Sequence, residues 1–174
     1  MTTANLGAAD IGWENYHSDD ASMTHLDLWG INEFWQPTLS GMLDGVYWSS
    51  KKPIWSEQVG IEAYNAATGR EDEEMQAAFL EGMWRSVTPY LSATQEDGIY
   101  VGLTFFEWSD EWWKSAGRDP RAHDTAADWL CAPYPDSSIQ EEWFGVAAIA
   151  PDTTARRMRA ACERLGRCWA ALPR

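Results

Sequence analysis

Long apolar runs and an excess of basic residues are both missing from this sequence. No apolar stretch approaches the roughly 18 residues of a membrane-spanning helix, and the first residues lack the basic and apolar parts of a signal peptide. As written, the chain is expected to be cytoplasmic, unless its true start is missing. The net charge of −14 repels phosphate backbones and anionic lipid. We therefore expect neither a nucleic-acid partner nor a membrane partner.

Cysteine and histidine are sparse, with three of each. Cys162 and Cys168 stand six positions apart, which puts them on different faces of a helix, and Cys131 is far from both. We predict buried thiols and no disulfide framework. No metal-ligand spacing, glycine-rich phosphate loop or Gly-X-Ser-X-Gly elbow is present. The sequence therefore predicts no metal site, no cofactor and no serine-hydrolase chemistry.

Tryptophan is the residue present in excess, with 12 among 174 residues. Its flat rings fill cores, and they also stack on the apolar faces of sugar rings. Composition alone favours core filling. With 45% hydrophobic and 23% charged residues, the chain is globular in composition, and its length predicts a single domain over residues 1–174.

The order of predicted elements favours an α/β fold. Apolar runs predict strands at 2–6, 26–32, 54–57 and 99–106, while helical spacing predicts helices over 38–49, 71–89 and 155–172. The acidic run at 71–74 is expected to complement the dipole of the second helix, and the arginines of the last helix are expected to face solvent. Residues 115–150 are expected to form a long irregular loop that covers a site.

Polar side chains stand where several predicted strands end. Asn32, Glu57, Glu107 and Trp108 all occupy such positions, and in α/β proteins the carboxyl ends of strands carry the chemistry. Two carboxylates that face one sugar ring can break a glycosidic bond with retention. Glu57 suits the role of nucleophile because the polar segment that follows it and ends at Gly60 is expected to leave room for a substrate.

Five segments together resemble a known superfamily. They are LDLWGIN (26–32), KPIWSEQVGIEAY (52–64), FEWSDEWWK (106–114), HD (123–124) and EEWFG (141–145). They resemble the C-terminal half of retaining β-glycosidase and glucanosyltransferase-like TIM barrels. The resemblance implies a partial (β/α)8 barrel made of strands 5 to 8, with a long loop after strand 8. It also implies hydrolysis or transglycosylation of β-linked, glucan-type carbohydrate.

The resemblance assigns roles to particular residues. Glu57 matches the family nucleophile at the end of strand 7, and Trp108 matches the aromatic platform under the sugar. Substrate contacts are expected from Asn32, Trp35, Tyr64, Glu107, Trp108, Glu111 and Trp112. For Glu107, Asp110 and Glu111 an alternative stays open, because they could instead hold Lys114 and backbone amides in a tight loop. His123 and Asp124 are expected to form a structural hydrogen-bonded pair.

The acid/base half of the family site is absent from this chain. Strands 1 to 4 are missing, and Glu33 lies only 24 residues before Glu57, too close to hold the two βα units that separate the family's two carboxylates. Glu33 is also expected to point away from Asn32, since neighbours in a strand alternate. Phe34 stands where similar proteins carry a tyrosine whose hydroxyl forms a hydrogen bond with the nucleophile, and phenylalanine cannot form that bond.

Four strands cannot close a barrel, so a partner is expected. It would be a second copy of the chain or a separate N-terminal half, and the chain could equally be a fragment of a longer glycosidase. The alternative function is non-catalytic. In that hypothesis the truncated barrel binds carbohydrate through Trp108, Trp112 and Trp113, or serves only as an assembly partner.

Overall fold

The computed structural model describes residues 7–34, 36–114, 123–130, 135–150 and 155–172. The chain forms two compact units. Unit 1 comprises Met1–Phe34, Thr38–Val59 and Met83–Thr104, and unit 2 comprises Trp35–Pro37, Gly60–Gly82 and Phe105–Arg174. Within the described ranges, no helix has the length and apolar character needed to cross a bilayer.

Three α-helices, four short 3-10 helices and nine strands are described. The α-helices are α1 (Ser40–Ser49), α2 (Glu73–Val87) and α3 (Ala160–Ala170). The strands are β1 (Trp29–Glu33), β2 (Ile54–Val59), β3 (Tyr64–Asn65), β4 (Arg70–Glu71), β5 (Tyr100–Phe105), β6 (Trp129–Leu130), β7 (Ser138–Ile139), β8 (Ala147–Ile149) and β9 (Arg156–Met158). The mixed α/β composition confirms the sequence-based expectation, although the element ends shift. The strand predicted at 2–6 lies outside the described residues.

Unit 1 is organised around a three-stranded sheet in the order β1-β2-β5. Strands β1 and β2 are parallel, so the chain must cross over between them, and α1 lies in that connection. Ile31 and Ile54 are fully buried, as expected for strands that are apolar on both faces. Leu43 and Val46 are the buried residues of α1.

The tryptophans divide between core and surface. Trp29 is fully buried, and its indole N–H donates to Ser50 Oγ at 3.0 Å and to Asp20 Oδ1 at 3.1 Å. Trp48 is 81% exposed and Trp108 is 59% exposed. Core filling therefore explains only part of the tryptophan excess.

In unit 2 the acidic run has two roles. Asp72 caps α2, because its Oδ1 accepts the N–H of Met75 at 3.0 Å. Glu74 instead pairs with Arg164 on α3, and Arg164 also lies 3.6 Å from Glu81. The expectation that the arginines of the last helix face solvent is therefore wrong for Arg164, because its side chain binds acids of α2.

The described residues between 123 and 150 are less irregular than the sequence indicates. Strands β6 and β7 pair antiparallel, and β8 pairs antiparallel with β9, with Ala147 opposite Met158. Helix α3 begins at Ala160 rather than near 155, because the residues just before it are drawn into β9.

The described cysteines are free thiols. Cys162 and Cys168 are both half-buried rather than buried as predicted, and they form no disulfide. Cys131 lies outside the described residues.

Candidate functional site

Glu57 lies at an irregularity in the parallel ladder of unit 1. Ile31 pairs with Ser56 and Asn32 pairs with Gln58, so Glu57 is an extra residue with no Cα partner on β1. Such bulges are rare in parallel sheets, and they re-aim side chains beside active sites. Strand β2 continues to Val59, two residues past the predicted end. Glu57 is half-buried, whereas Ser56 before it is fully buried and accepts a hydrogen bond from the Tyr100 hydroxyl at 2.7 Å.

The other carboxylate near the end of β1 has a structural role. Glu33 Oε1 accepts the backbone N–H of Ala8 at 2.9 Å and so holds the first described turn of the chain. Burial raises the pKa of Glu33, and the nearby charge of Asp10 acts in the same direction. Asn32, beside it, is half-buried and belongs to the same ladder as Glu57.

Gly60 is required by close packing. A Cβ atom at this position would lie 2.0 Å from the carbonyl oxygen of Phe106 and 3.0 Å from the ring of Phe144. The expectation that this glycine leaves room for a substrate is therefore wrong. The space that a side chain would need is already occupied by backbone of unit 2.

A network of carboxyl groups and one lysine follows β5 in unit 2. Glu107 and Glu111 are hydrogen-bonded to each other, and Lys114 Nζ lies 2.6 Å from Glu111 Oε2 and 3.9 Å from Glu141. Lys114 also lies over the ring of Phe106, 4.8 Å from its centroid. Burial raises the pKa of Glu107 to about 8, with the charge of Glu111 as the next cause. Chemically, Glu107 offers a carboxyl that keeps its proton at neutral pH beside the ion pair of Glu111 and Lys114.

The contribution of Glu107 to the stability of the protein should fall as the pH rises. The folded state keeps this proton up to a pKa of about 8, whereas the ordinary pKa of a glutamic acid is 4.5. The stabilising contribution is therefore complete below about pH 4.5 and is lost as the pH rises through 8. Three charged groups act on it besides burial: Glu111, Lys114 and Asp110. One pKa unit is worth about 1.4 kcal/mol, and partial exposure reduces the effect, so we expect a loss of about 1–3 kcal/mol between pH 5 and pH 8.

Urea denaturation at pH 5, 6.5 and 8 measures this dependence. In Glu107→Gln the slope of stability against pH should be shallower by that amount, because glutamine imitates the protonated acid. Glu96→Gln, an exposed position with the same chemical change, should keep the wild-type slope. Identical slopes in wild type and Glu107→Gln would contradict the assignment.

The aromatic residues predicted as sugar contacts have different environments in unit 2. Trp108 is 59% exposed and Trp113 is 49% exposed, while Trp112 is half-buried and meets Trp113 edge-on with ring centroids 5.3 Å apart. Tyr64 is 8% exposed and packs on Trp143 at 5.2 Å, so most of its ring serves the core. Trp35 lies outside the described residues. Roles for these residues in binding a substrate stay predictions.

The structure pairs His123 with a residue that the sequence did not indicate. His123 Nε2 lies 3.2 Å from Asp110 Oδ2 and its ring stacks on Trp143 at 4.4 Å, so the expected partnership with Asp124 is wrong. Asp110 also makes a two-point ion pair with Arg159, with distances of 2.5 and 2.8 Å. The side chains of Asp110 and Arg159 are both 0% exposed. For Asp110, this favours the alternative in which an acid holds the loop together.

The described ranges contain no cluster of side chains suited to hold a metal ion. No group of three or more His, Cys, Asp or Glu side chains there is placed to hold one. Lys114 and Arg159 supply the positive charge at the two carboxylate clusters of unit 2.

Several solved structures of glycosidases are similar to this fold. The chain is similar to β-glucosidase 1317, with 16% identity and a TM-score of 0.55 over 99% of this chain and 42% of that one. It is similar to a β-glucosidase from Thermotoga maritima in complex with glucoimidazole, with 13% identity and a TM-score of 0.55 over 92% of this chain and 39% of that one. The fold is glycoside hydrolase-like.

A third similar structure belongs to a longer protein. The GH2 β-galacturonidase from Eisenbergiella tayi, bound to galacturonate, shares 16% identity and a TM-score of 0.51 over 84% of this chain and 24% of that one. The chain thus spans 24% to 42% of the length of these three proteins. No protein-family model and no curated protein matches it. At such identities the similarity concerns the fold.

Proposed function

We propose that this chain carries the nucleophile of a retaining β-glycoside hydrolase or transglycosylase that acts on glucan-type carbohydrate. Glu57 is the nucleophile in this proposal. The general acid/base is supplied by a part of the active site that this chain lacks. The chain then corresponds to the last four βα units of a TIM barrel.

The observation that carries the proposal is the place of Glu57 in the ladder. A nucleophilic carboxylate must stay ionised and reach the anomeric carbon. Glu57 is half-buried at a bulge, next to the half-buried Asn32, while Ser56 and Val59 of the same strand are fully buried. The glycoside hydrolase-like fold supports the same chemistry.

The test is covalent trapping, which does not need the missing acid/base. A 2-deoxy-2-fluoro-β-glucoside with a dinitrophenyl leaving group can transfer its sugar to the nucleophile without protonation of the leaving oxygen. We expect intact-mass spectrometry of the wild-type chain to show one added fluoroglucosyl group. Peptide mapping should locate that group on Glu57.

Two variants separate the nucleophile from other surface carboxylates. Glu57→Gln should lose the label entirely, because an amide does not form the glycosyl ester. Glu96→Gln makes the same change at an exposed position of unit 1 and should label like the wild type. Equal labelling of Glu57→Gln and wild type would exclude Glu57 as the nucleophile.

A partner completes the barrel in this proposal. The sheet described in unit 1 has three strands, which is too few to close a barrel, and such a sheet needs its edge and inner face covered. The partner would be a second copy of the chain or an N-terminal half-barrel, whether separate or in the same longer polypeptide. The similar β-glucosidases are more than twice as long as the part that this chain matches.

The exposed tryptophans of unit 2 favour a second candidate function, carbohydrate binding without catalysis. Trp108 and Trp113 each leave about half of the side chain accessible, which suits stacking on sugar. In that case laminaribiose should change the tryptophan fluorescence, and Trp108→Ala should remove the part of the change that arises from this ring. Turnover of an aryl β-glucoside by the purified chain would exclude this candidate.

A further inference from the structure

Unit 2 contains a cavity of about 560 Å³ that none of the roles above uses. Its lining includes Trp143 and His123, the ion-paired side chains of Glu71, Arg157 and Arg159, and the stretch 148–150 that follows the start of β8. The volume falls within the range of about 300–1,000 Å³ that is typical of small-molecule sites.

The apolar part of the lining is fixed in place. The indole N–H of Trp143 donates to the carbonyl of Asp124 at 2.8 Å, and its ring packs against His123 at 4.4 Å and Tyr64 at 5.2 Å. Trp143 is nevertheless half-buried, so part of the ring stays accessible. The small side chains of Ala148 and Ala150 line the same cavity and leave it open.

The polar part of the lining consists of compensated charges. Glu71 accepts from Arg159 Nε at 2.7 Å and from Arg157 Nη2 at 3.0 Å. Arg159 is further neutralised by Asp110, and Arg157 by Glu73. An anionic ligand would therefore meet a guanidinium whose charge is already balanced, and it would face the carboxylate of Glu71.

Paired arginine and glutamate side chains suit hydroxyl groups instead. A guanidinium N–H can donate to a hydroxyl oxygen, and the carboxylate can accept the hydroxyl hydrogen of the same ligand. A flat apolar face beside such a pair matches a pyranose ring, which has a C–H face and a rim of hydroxyls. The net compensation of charge favours a neutral sugar over a uronic acid or a phosphate.

We propose that this cavity is a binding site for a neutral sugar, formed by Trp143, Glu71, Arg157 and the 148–150 stretch. It uses none of the residues proposed for catalysis at Glu57 or for stacking on Trp108 and Trp113. The proposal of this site is therefore independent of the proposed function. Glu57→Gln should bind sugar at this cavity as the wild type does.

Nuclear magnetic resonance on the full 15N-labelled chain tests the site. Titration with laminaribiose, a neutral disaccharide, should produce saturable shifts of the Trp143 indole N–H and of the amides of Ala148 and Ile149. The same shifts should persist in a Trp108→Ala/Trp113→Ala double variant, which removes the other exposed rings. Glucuronate and inorganic phosphate should shift these signals at least tenfold more weakly.

A blocking variant adds a second readout without removing any packing contact of Trp143. Ala150→Phe fills the cavity from an exposed position and should weaken laminaribiose binding at least tenfold. Ala170→Phe, an exposed residue of α3 outside the lining, should bind as the wild type does. If Ala150→Phe does not fold, Thr125→Phe serves the same purpose, because Thr125 is exposed and also lines the cavity.

Three results would overturn the proposal. The first is the absence of saturable shifts at Trp143, Ala148 and Ile149 in the wild type. The second is unchanged binding in a folded blocking variant. The third is tighter binding of glucuronate or phosphate than of laminaribiose at these signals, which would assign the cavity to an anion.

Discussion

Replacement of Arg159 by methionine is expected to lower the free energy of unfolding by about 3–5 kcal/mol, because it leaves a buried carboxylate without its counter-ion. Asp110 and Arg159 are both 0% exposed and make two contacts of 2.5 and 2.8 Å. Asp110 also accepts the N–H of Gly145 at 3.0 Å. The pair thus joins the loop after β5 to the start of α3, and its loss should destabilise unit 2 as a whole.

A neighbouring arginine provides the matched control. Arg157 pairs with Glu71 and Glu73, but its side chain is 55% exposed, so Arg157→Met should cost less than about 1 kcal/mol. Urea denaturation followed by circular dichroism gives both values. The double variant Asp110→Ala/Arg159→Met should lose less than the sum of the two single changes, because it removes both charges. Equal losses for Arg159→Met and Arg157→Met would contradict the buried ion pair.

Gly60→Ala is expected to lower the free energy of unfolding by at least about 2 kcal/mol, as overpacking in a dense region does. A Cβ atom there would stand 2.0 Å from the carbonyl oxygen of Phe106, and backbone cannot move aside as a flexible side chain can. The cost arises from packing in unit 2 and requires no substrate.

A second glycine should respond with the opposite sign. Gly45 lies in the middle of α1, and a Cβ atom there would meet nothing within 4 Å. Because alanine favours a helix over glycine, Gly45→Ala should stabilise the protein by about 0.5–1 kcal/mol. Thermal or urea unfolding of both variants measures the contrast. A neutral Gly60→Ala would show that Gly60 and Phe106 are not in close contact in solution.

Regular elements could be predicted from the sequence because their signals are local. The apolar runs predict β2 and β5, and helical spacing predicts α1, α2 and α3. The start of α3 differs from the prediction because the residues before it form β9. The short pairings β6 with β7 and β8 with β9 have only two or three residues per strand, too few for any alternation to be recognised.

The non-local contacts could not be predicted in the same way. The sequence pattern groups Arg159 with the arginines of the last helix, but Arg159 immediately precedes α3, where helical periodicity does not apply. The partner of His123 is Asp110 rather than the adjacent Asp124, and a single sequence contains no signal that joins them. The acids after β5 were open to two hypotheses, substrate binding or a role in holding Lys114 in a tight loop. The ion pair of Lys114 with Glu111 agrees with the second hypothesis, and it is a local contact, because the two residues are three positions apart.

On the β1 side of the ladder, Ser56 has Ile31 opposite and Gln58 has Asn32 opposite, so Glu57 has no Cα partner on β1. The register between β1 and β2 consequently does not depend on which residue stands at this position. Among related chains, a carboxylate kept at a position that this register leaves free would report selection for chemistry rather than for strand pairing.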